Sequence, residues 1–290
     1  MISAICFGQP TSLDSISLYV IRPKHRISWK SPSSLLIKTA INSIRDDYAP
    51  IGHFAIELNC SSNNMFSINH VITGMERLDL KQSKKIVLKE KLGLGSLFYS
   101  FKGNLVSSIQ TKKEIEQARK DKRLKKMTVS ISPDNCTRAM EFIETWINNG
   151  SYIVYGGGKN TLQGEGAGCA DFASTLFKLS TNYNLPDEWI VRRKIPKNLI
   201  NDGQKKISFL KLLFSHNWAS EDEEYLIYET VEANKSFDWL ERRSGDREDY
   251  LYSINLMASE LKTFESSPVD FLFNYNQDNN PEHIWGLIKY

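Results

Sequence analysis

The chain has 290 residues, 41% of them apolar and 24% charged, with a net charge of only +3. No run of about 18 apolar residues occurs, which argues against a helical membrane span, and so small a charge excludes nucleic-acid binding through an overall basic surface. The four cysteines (Cys6, Cys60, Cys136 and Cys169) lack CxxC spacing, so neither a zinc site nor a dense disulfide framework is expected, and the pattern fits a reducing compartment. The opening MISAICFGQPTSLDS has no basic start followed by a long apolar run, so no standard secretory signal is expected. Together these point to a cytoplasmic protein, with export by a non-classical route left open.

In chain order, residues 13–21 (LDSISLYVI) alternate in part and carry β-branched side chains, which predicts a strand. Ser31-Pro32 opens a helix to about Asp47, with proline in the first turn. Pro50-Ile51-Gly52 reads as a turn. His53 to Asn59 then alternates, with His53, Ala55, Glu57 and Asn59 on one face and Phe54, Ile56 and Leu58 on the other. Ser61 to Asn64 is a turn signal and Met65 to Ile72 the returning strand, so 52–72 reads as a β-hairpin. Residues 81–110 give no clear period. Thr111 is expected to cap a basic helix from Lys112 to about Lys126. That helix reads either as a solvated face or as a docking patch for an acidic partner.

Met127 to Ser132 predicts a short strand, and Pro133 starts a helix that Asn149-Gly150 ends. Tyr152 to Tyr155 is strand-like. A glycine-rich loop, 156–168, runs into Cys169, where Phe172, Leu176, Phe177 and Leu179 begin an apolar helical stripe. Beyond it, Leu185-Pro186 starts a short helical segment, Phe209 to Phe214 has helical spacing, Tyr225 to Tyr228 is a strand candidate and Tyr250 to Lys262 a helix candidate. Residues 1–200 are expected to form the main domain. Residues 201–290 are an extension, either a cap or part of the same domain.

Cys169 is placed at a helix N-terminus, where unpaired N–H groups stabilise an anion, so its thiol is expected to ionise more readily than usual. Read this way it is a nucleophile; the alternative is a buried structural cysteine. A nucleophile needs a base. Among five histidines, His53 begins the amphipathic strand directly after Gly52. Glu57 shares its face but lies four residues on, about 13 Å along a strand, too far to orient the imidazole. If the turn is Ser61 to Asn64, His53 faces Ile72 and Ala55 faces His70, which makes His70 the candidate third member. Glu57 and Gly168 are candidate substrate contacts, Glu57 otherwise facing solvent. Asp171, two residues past Cys169, is expected to point elsewhere and add charge to the first turn. Gly156 to Thr161 hints at a phosphate loop, but Ile153 and Asn160 stand where a Walker loop needs Gly and Ser or Thr.

Gly52-His53-Phe54-Ala55-Ile56-Glu57-Leu58, followed 116 residues after His53 by Gly168-Cys169-Ala170-Asp171-Phe172-Ala173, resembles the circularly permuted papain-like cysteine hydrolases. These include the permuted NlpC-like and lecithin–retinol acyltransferase-like enzymes. The resemblance covers about residues 50–180; the common Asn-Cys is absent, and the spacing of the polar strand residues departs from the acyltransferases. It implies an α+β fold in which the cysteine-bearing helix packs on a small antiparallel sheet carrying the histidine. It also implies thiol-dependent hydrolysis of a peptide, amide, thioester or ester bond, with Cys169 as nucleophile, His53 as base and no metal or organic cofactor. The rival expectation is a non-catalytic interaction protein that binds an acidic partner through Lys112 to Lys126.

Overall fold

Five strands form the main sheet of the computed structural model, which describes residues 14–45, 51–61, 70–78, 89–201 and 206–252. In chain order the elements are β1 (Ser15–Ile21), α1 (Pro32–Arg45), β2 (His53–Asn59), β3 (His70–Thr73), β4 (Met75–Arg77), β5 (Phe101–Leu105), α2 (Ser108–Lys120), β6 (Leu124–Ser130), α3 (Pro133–Asn148), β7 (Val154–Tyr155), α4 (Cys169–Thr181), β8 (Ile190–Pro196), α5 (Phe209–Leu213), β9 (Tyr225–Val231), α6 (Ala233–Ser244) and β10 (Asp249–Tyr252). The protein is therefore α+β. The main sheet runs β10-β6-β1-β2-β3, antiparallel except for the parallel β10–β6 edge. Two smaller sheets, β4-β5-β7 and β8-β9, flank it.

Local chemistry starts the helices. Ser107 accepts the N–H of Gln110 ahead of α2, and Ser132 that of Asn135 ahead of α3, whose first residue is proline. Burial then fixes the layers. Phe54, Ile56 and Leu58 of β2 pack with Ile16, Leu18 and Val20 of β1 against α3, α4 and α6, through Trp146, Phe172, Leu176 and Phe237. The opposite face puts Tyr19, Ile21, Ala55 and Leu124 against Ile115 and Ala118 of α2. Because helices cover both faces, β1 is buried along nearly its whole length rather than on alternate residues.

Several expectations are corrected. The basic helix stops at Lys120, and Leu124–Ser130 is strand β6; the β-branched and apolar residues of that segment pair with β1 instead of extending the helix. Lys125, expected on the basic helix, is buried and donates to the carbonyls of Gly245 (2.7 Å) and Arg247 (2.8 Å). Asp249–Tyr252 is the edge strand β10 where a helix was expected to begin; the rest of that segment lies outside the described residues, as do most of the turn Ser61 to Asn64 and the strand from Met65 to Asn69. The described C-terminal residues belong to the main core: Phe237, Trp239 and Leu240 lie within it, and Trp239 meets Trp189 edge-on at 5.6 Å.

The cysteine pattern also reads differently in three dimensions. Cys60, just after β2, forms a disulfide with Cys136 of α3, 76 residues away. Such a bond persists in oxidising surroundings, which removes the cysteine spacing as an argument for a reducing compartment. Among the described residues no helix is long and apolar enough to cross a membrane. Closing a loop of this length restricts the unfolded chain, so Cys60→Ser combined with Cys136→Ser should lower the unfolding free energy by about 4 kcal/mol. Urea denaturation of the oxidised parent against the double variant measures this, and coincident curves would contradict it.

Candidate functional site: the Cys169 pocket

A backbone contact between the glycine loop and β7 sets the position of Cys169. Gly166 adopts φ of +105°, and a Cβ there would fall 2.5 Å from the Val154 carbonyl oxygen, so only glycine lets the loop lie this close. The Ala167 N–H then donates to that same oxygen at 3.2 Å. Gly168 caps α4 in extended conformation, and Cys169 is its first residue, as the sequence predicts. Tyr155, next to Val154, directs its hydroxyl at Cys169 Sγ, 3.7 Å away.

The thiol is 6% exposed, and burial pushes it above the ordinary cysteine range. The Phe54 N–H, the Tyr155 hydroxyl and the Ala170 N–H pull the other way, and Asp171 adds to the upward push. The expected ready ionisation is thus overturned. A helix N-terminus contributes about 0.3–1 kcal/mol, up to about 2, whereas removing a thiolate from water costs more than that at a fully enclosed site.

The structure does not bring His53 to the sulfur. Phe54 faces the Cys169 side of the sheet, so its neighbour His53 faces the α2 side, where its Nε2 lies 3.9 Å from Glu114 Oε2. Burial lowers the imidazole's pKa, opposed by Glu114 and Glu76, so the ring is neutral at pH 7. His70 is not its partner. The hairpin register pairs His70 with Asn59 and Thr73 with Ile56, four residues away from the register that a turn at Ser61 to Asn64 implies. His70 therefore lies about 20 Å along the strand from His53 and accompanies Glu57 Oε1 at 2.9 Å. Glu57 does not face solvent alone: it also accepts from the Tyr19 hydroxyl at 2.5 Å and lies 3.6 Å from Lys126 Nζ.

Cys169 instead sits in a largely apolar pocket of about 290 Å³. Trp29, Leu36, Phe54, Leu97 and Tyr228 line it together with Tyr155, Arg77, Gly168 and Asp171. Asp171 reaches back to the Gly168 N–H, half of a capping box, and still lines the pocket, contrary to the expectation that it points elsewhere. Burial pushes its carboxyl up to about 6, against the pull of Gly168 N–H and Lys178. Tyr155, Arg77 and Tyr228 carry no sequence signal as site residues, since three separate small elements deliver them.

Two outcomes are expected. Alkylation of Cys169 by iodoacetamide at pH 7 should be slower than that of free cysteine. Tyr155→Phe should slow it further, roughly tenfold for the loss of one hydrogen bond to a charged sulfur; an unchanged rate would remove Tyr155 from the site. For Asp171, the native chain holds between about pH 4 and pH 6 a proton that the unfolded chain has released. Stability therefore falls as pH rises through that window, by on the order of 3 kcal/mol. Asp171→Asn, which keeps an acceptor for the Gly168 N–H, should gain stability over the parent at pH 7 and not at pH 3, as chemical denaturation at the two pH values would record. No family model, curated protein or solved structure matches this chain.

Proposed function

We propose that this protein is a thiol-dependent hydrolase of the permuted papain-like kind, in which Cys169 attacks the carbonyl of an ester or thioester whose apolar part fills the pocket. The observation that carries the reading is the convergence on one sulfur of two backbone N–H groups, from Phe54 and Ala170, and the Tyr155 hydroxyl at the end of an apolar pocket. Such donors stabilise negative charge on the sulfur or on a carbonyl oxygen beside it. Sγ adds to the carbonyl carbon, the bond to the leaving oxygen or sulfur breaks, and the thiol proton departs with the leaving group. Water then cleaves the acyl–sulfur bond, giving a carboxylic acid and the free thiol.

Asp171 is the proton carrier in this scheme in place of His53, because it lines the same pocket. Its carboxyl near 6 lies well below the thiol, which burial raises, so the transfer is uphill. An activated acyl group tolerates that gap better than a peptide bond does, so esters and thioesters are preferred here over the peptide that the resemblance implies. One observation favours a second reading: burial holds the thiol protonated, as suits a pocket that binds an apolar ligand without reacting. The exposed Lys112, Lys113, Lys120 and Lys122 would then meet an acidic partner.

Hydrolysis of p-nitrophenyl octanoate separates the two. Cys169→Ala should abolish turnover, Asp171→Asn should lower it on the order of a hundredfold, and His53→Ala should change it little. No turnover by the parent, with octanoate bound equally by parent and Cys169→Ala, supports the binding reading. A loss in His53→Ala equal to that in Cys169→Ala would return the proton to the histidine.

A further inference from the structure

The short helix α5 turns an apolar face to water. Its Leu212 is buried in a cluster with which Leu36 of α1 packs. Leu210 and Phe214 lie two residues to either side, so on a helix they share the opposite face. They are 62% and 70% exposed, and Phe209 beside them is 38% exposed. α1 packs alongside. The Ser33 N–H in its first turn donates at 3.0 Å to the carbonyl of Ser215, the residue after Phe214, and Ile37, one turn on, is 42% exposed. Apolar side chains scattered singly on a surface need no explanation, but a group of this size does.

The charge around this face is one-sided. Residues 22–45 and 206–219, which carry the two helices, contain lysines and arginines and no aspartate or glutamate, in a chain whose net charge is only +3. Lys30 shortly before α1, Lys38 beside Ile37 and Lys206 shortly before α5 are exposed. In the acidic run that follows, Glu221 and Glu224 turn to Lys194 and Lys197.

We propose that the face made by α1 and α5 seats the protein on an anionic lipid surface, with Leu210 and Phe214 entering the acyl boundary and Lys30, Lys38 and Lys206 meeting the headgroup phosphates. Such a bilayer offers apolar depth and negative charge together. A second copy of this chain does not. A twofold contact sets the lysines of one face against those of the other, with no carboxylate from these segments between them. Leu35 and Leu36 of α1 and Leu212 of α5 also wall the Cys169 pocket, so the seated protein holds that wall at the bilayer. The seating is the same whether the pocket cleaves its ligand or only binds it.

The test is co-sedimentation of the full-length protein with vesicles of phosphatidylcholine alone, or of phosphatidylcholine and phosphatidylglycerol at about 7:3, in about 0.1 M salt, where the Debye length is about 10 Å. The mixed vesicles should be bound on the order of a hundredfold more tightly, and changing Lys30, Lys38 and Lys206 together to Gln should remove that preference at roughly fivefold per lysine. Leu210→Ser combined with Phe214→Ser should weaken binding to the mixed vesicles at least about tenfold and leave the far-ultraviolet circular dichroism unchanged, since both side chains lie outside the core. If that pair misfolds, the lysine variant decides alone. No sedimentation with either vesicle, equal sedimentation with both, or binding that survives both variants overturns the proposal. So does a loss on changing Lys112, Lys113 and Lys120 to Gln with none on changing Lys30, Lys38 and Lys206, which places the lipid on α2. A dimer in sedimentation equilibrium that Leu210→Ser with Phe214→Ser dissociates gives the face to a second copy and overturns it as well.

Discussion

The packing of α4 on β2 is the contact on which the rest depends. Phe172, Ala173 and Leu176 are buried to within 1% of completely and meet Phe54 and Ile56 across the interface. Each large side chain there contributes about 1.5–3 kcal/mol by leaving water, and Trp146 locks Phe172 from α3 with ring centroids 5.6 Å apart. This contact presses the helix N-terminus against the start of β2, which lies beyond the last residue paired with β3. The Phe54 N–H is therefore free of the β3 ladder and turns to the Cys169 sulfur. Backbone from the sheet thus supports the thiol alongside the Tyr155 hydroxyl.

The same packing decides the electrostatics. A helix N-terminus favours an anion, but the favourable dipole acts over one turn and amounts to a kcal/mol or so. Enclosing the thiol between α4, β2 and β7 removes the water that would solvate the thiolate. Burial wins at Cys169, and it wins again at Asp171, whose carboxyl rises to about 6 despite its bond to Gly168. A protonated thiol and a carboxyl that titrates near neutrality are thus two consequences of one enclosure.

The C-terminal segment completes the walls of that enclosure. Leu212, Tyr228 and Ala233 line the apolar pocket, and Gly52, at φ +90°, allows the start of β2 to approach Ala233, whose Cβ would lie 2.4 Å from any Cβ at that position. The strand β9 carries Tyr228 to this pocket and Glu229 to a second, charged cavity, because successive strand residues point to opposite faces. One short strand therefore separates an apolar compartment from a charged one. On the far side of the molecule, Lys125 ties β6 to the turn after α6 through two carbonyls, so the last described strand joins the sheet rather than a separate unit.

Local signals in the sequence determined the α+β class, the helices that open at Pro32, Pro133 and Cys169, and the strand from His53 to Asn59, because caps, proline positions and alternation are short-range effects. The alternation also held the answer about His53. The apolar face of β2 (Phe54, Ile56 and Leu58) is the face that must meet the apolar stripe of α4, so His53, one residue earlier, belongs to the other side. Only the tertiary structure decided the rest. It set the register of β3, which places His70 opposite Asn59. It joined Cys60 to Cys136 across 76 positions, brought the Tyr155 hydroxyl to the Cys169 sulfur and set Asp171 and Tyr228 in the same pocket. It also reversed the sign of the thiol's shift, since burial depends on what surrounds a residue and no stretch of local sequence carries it.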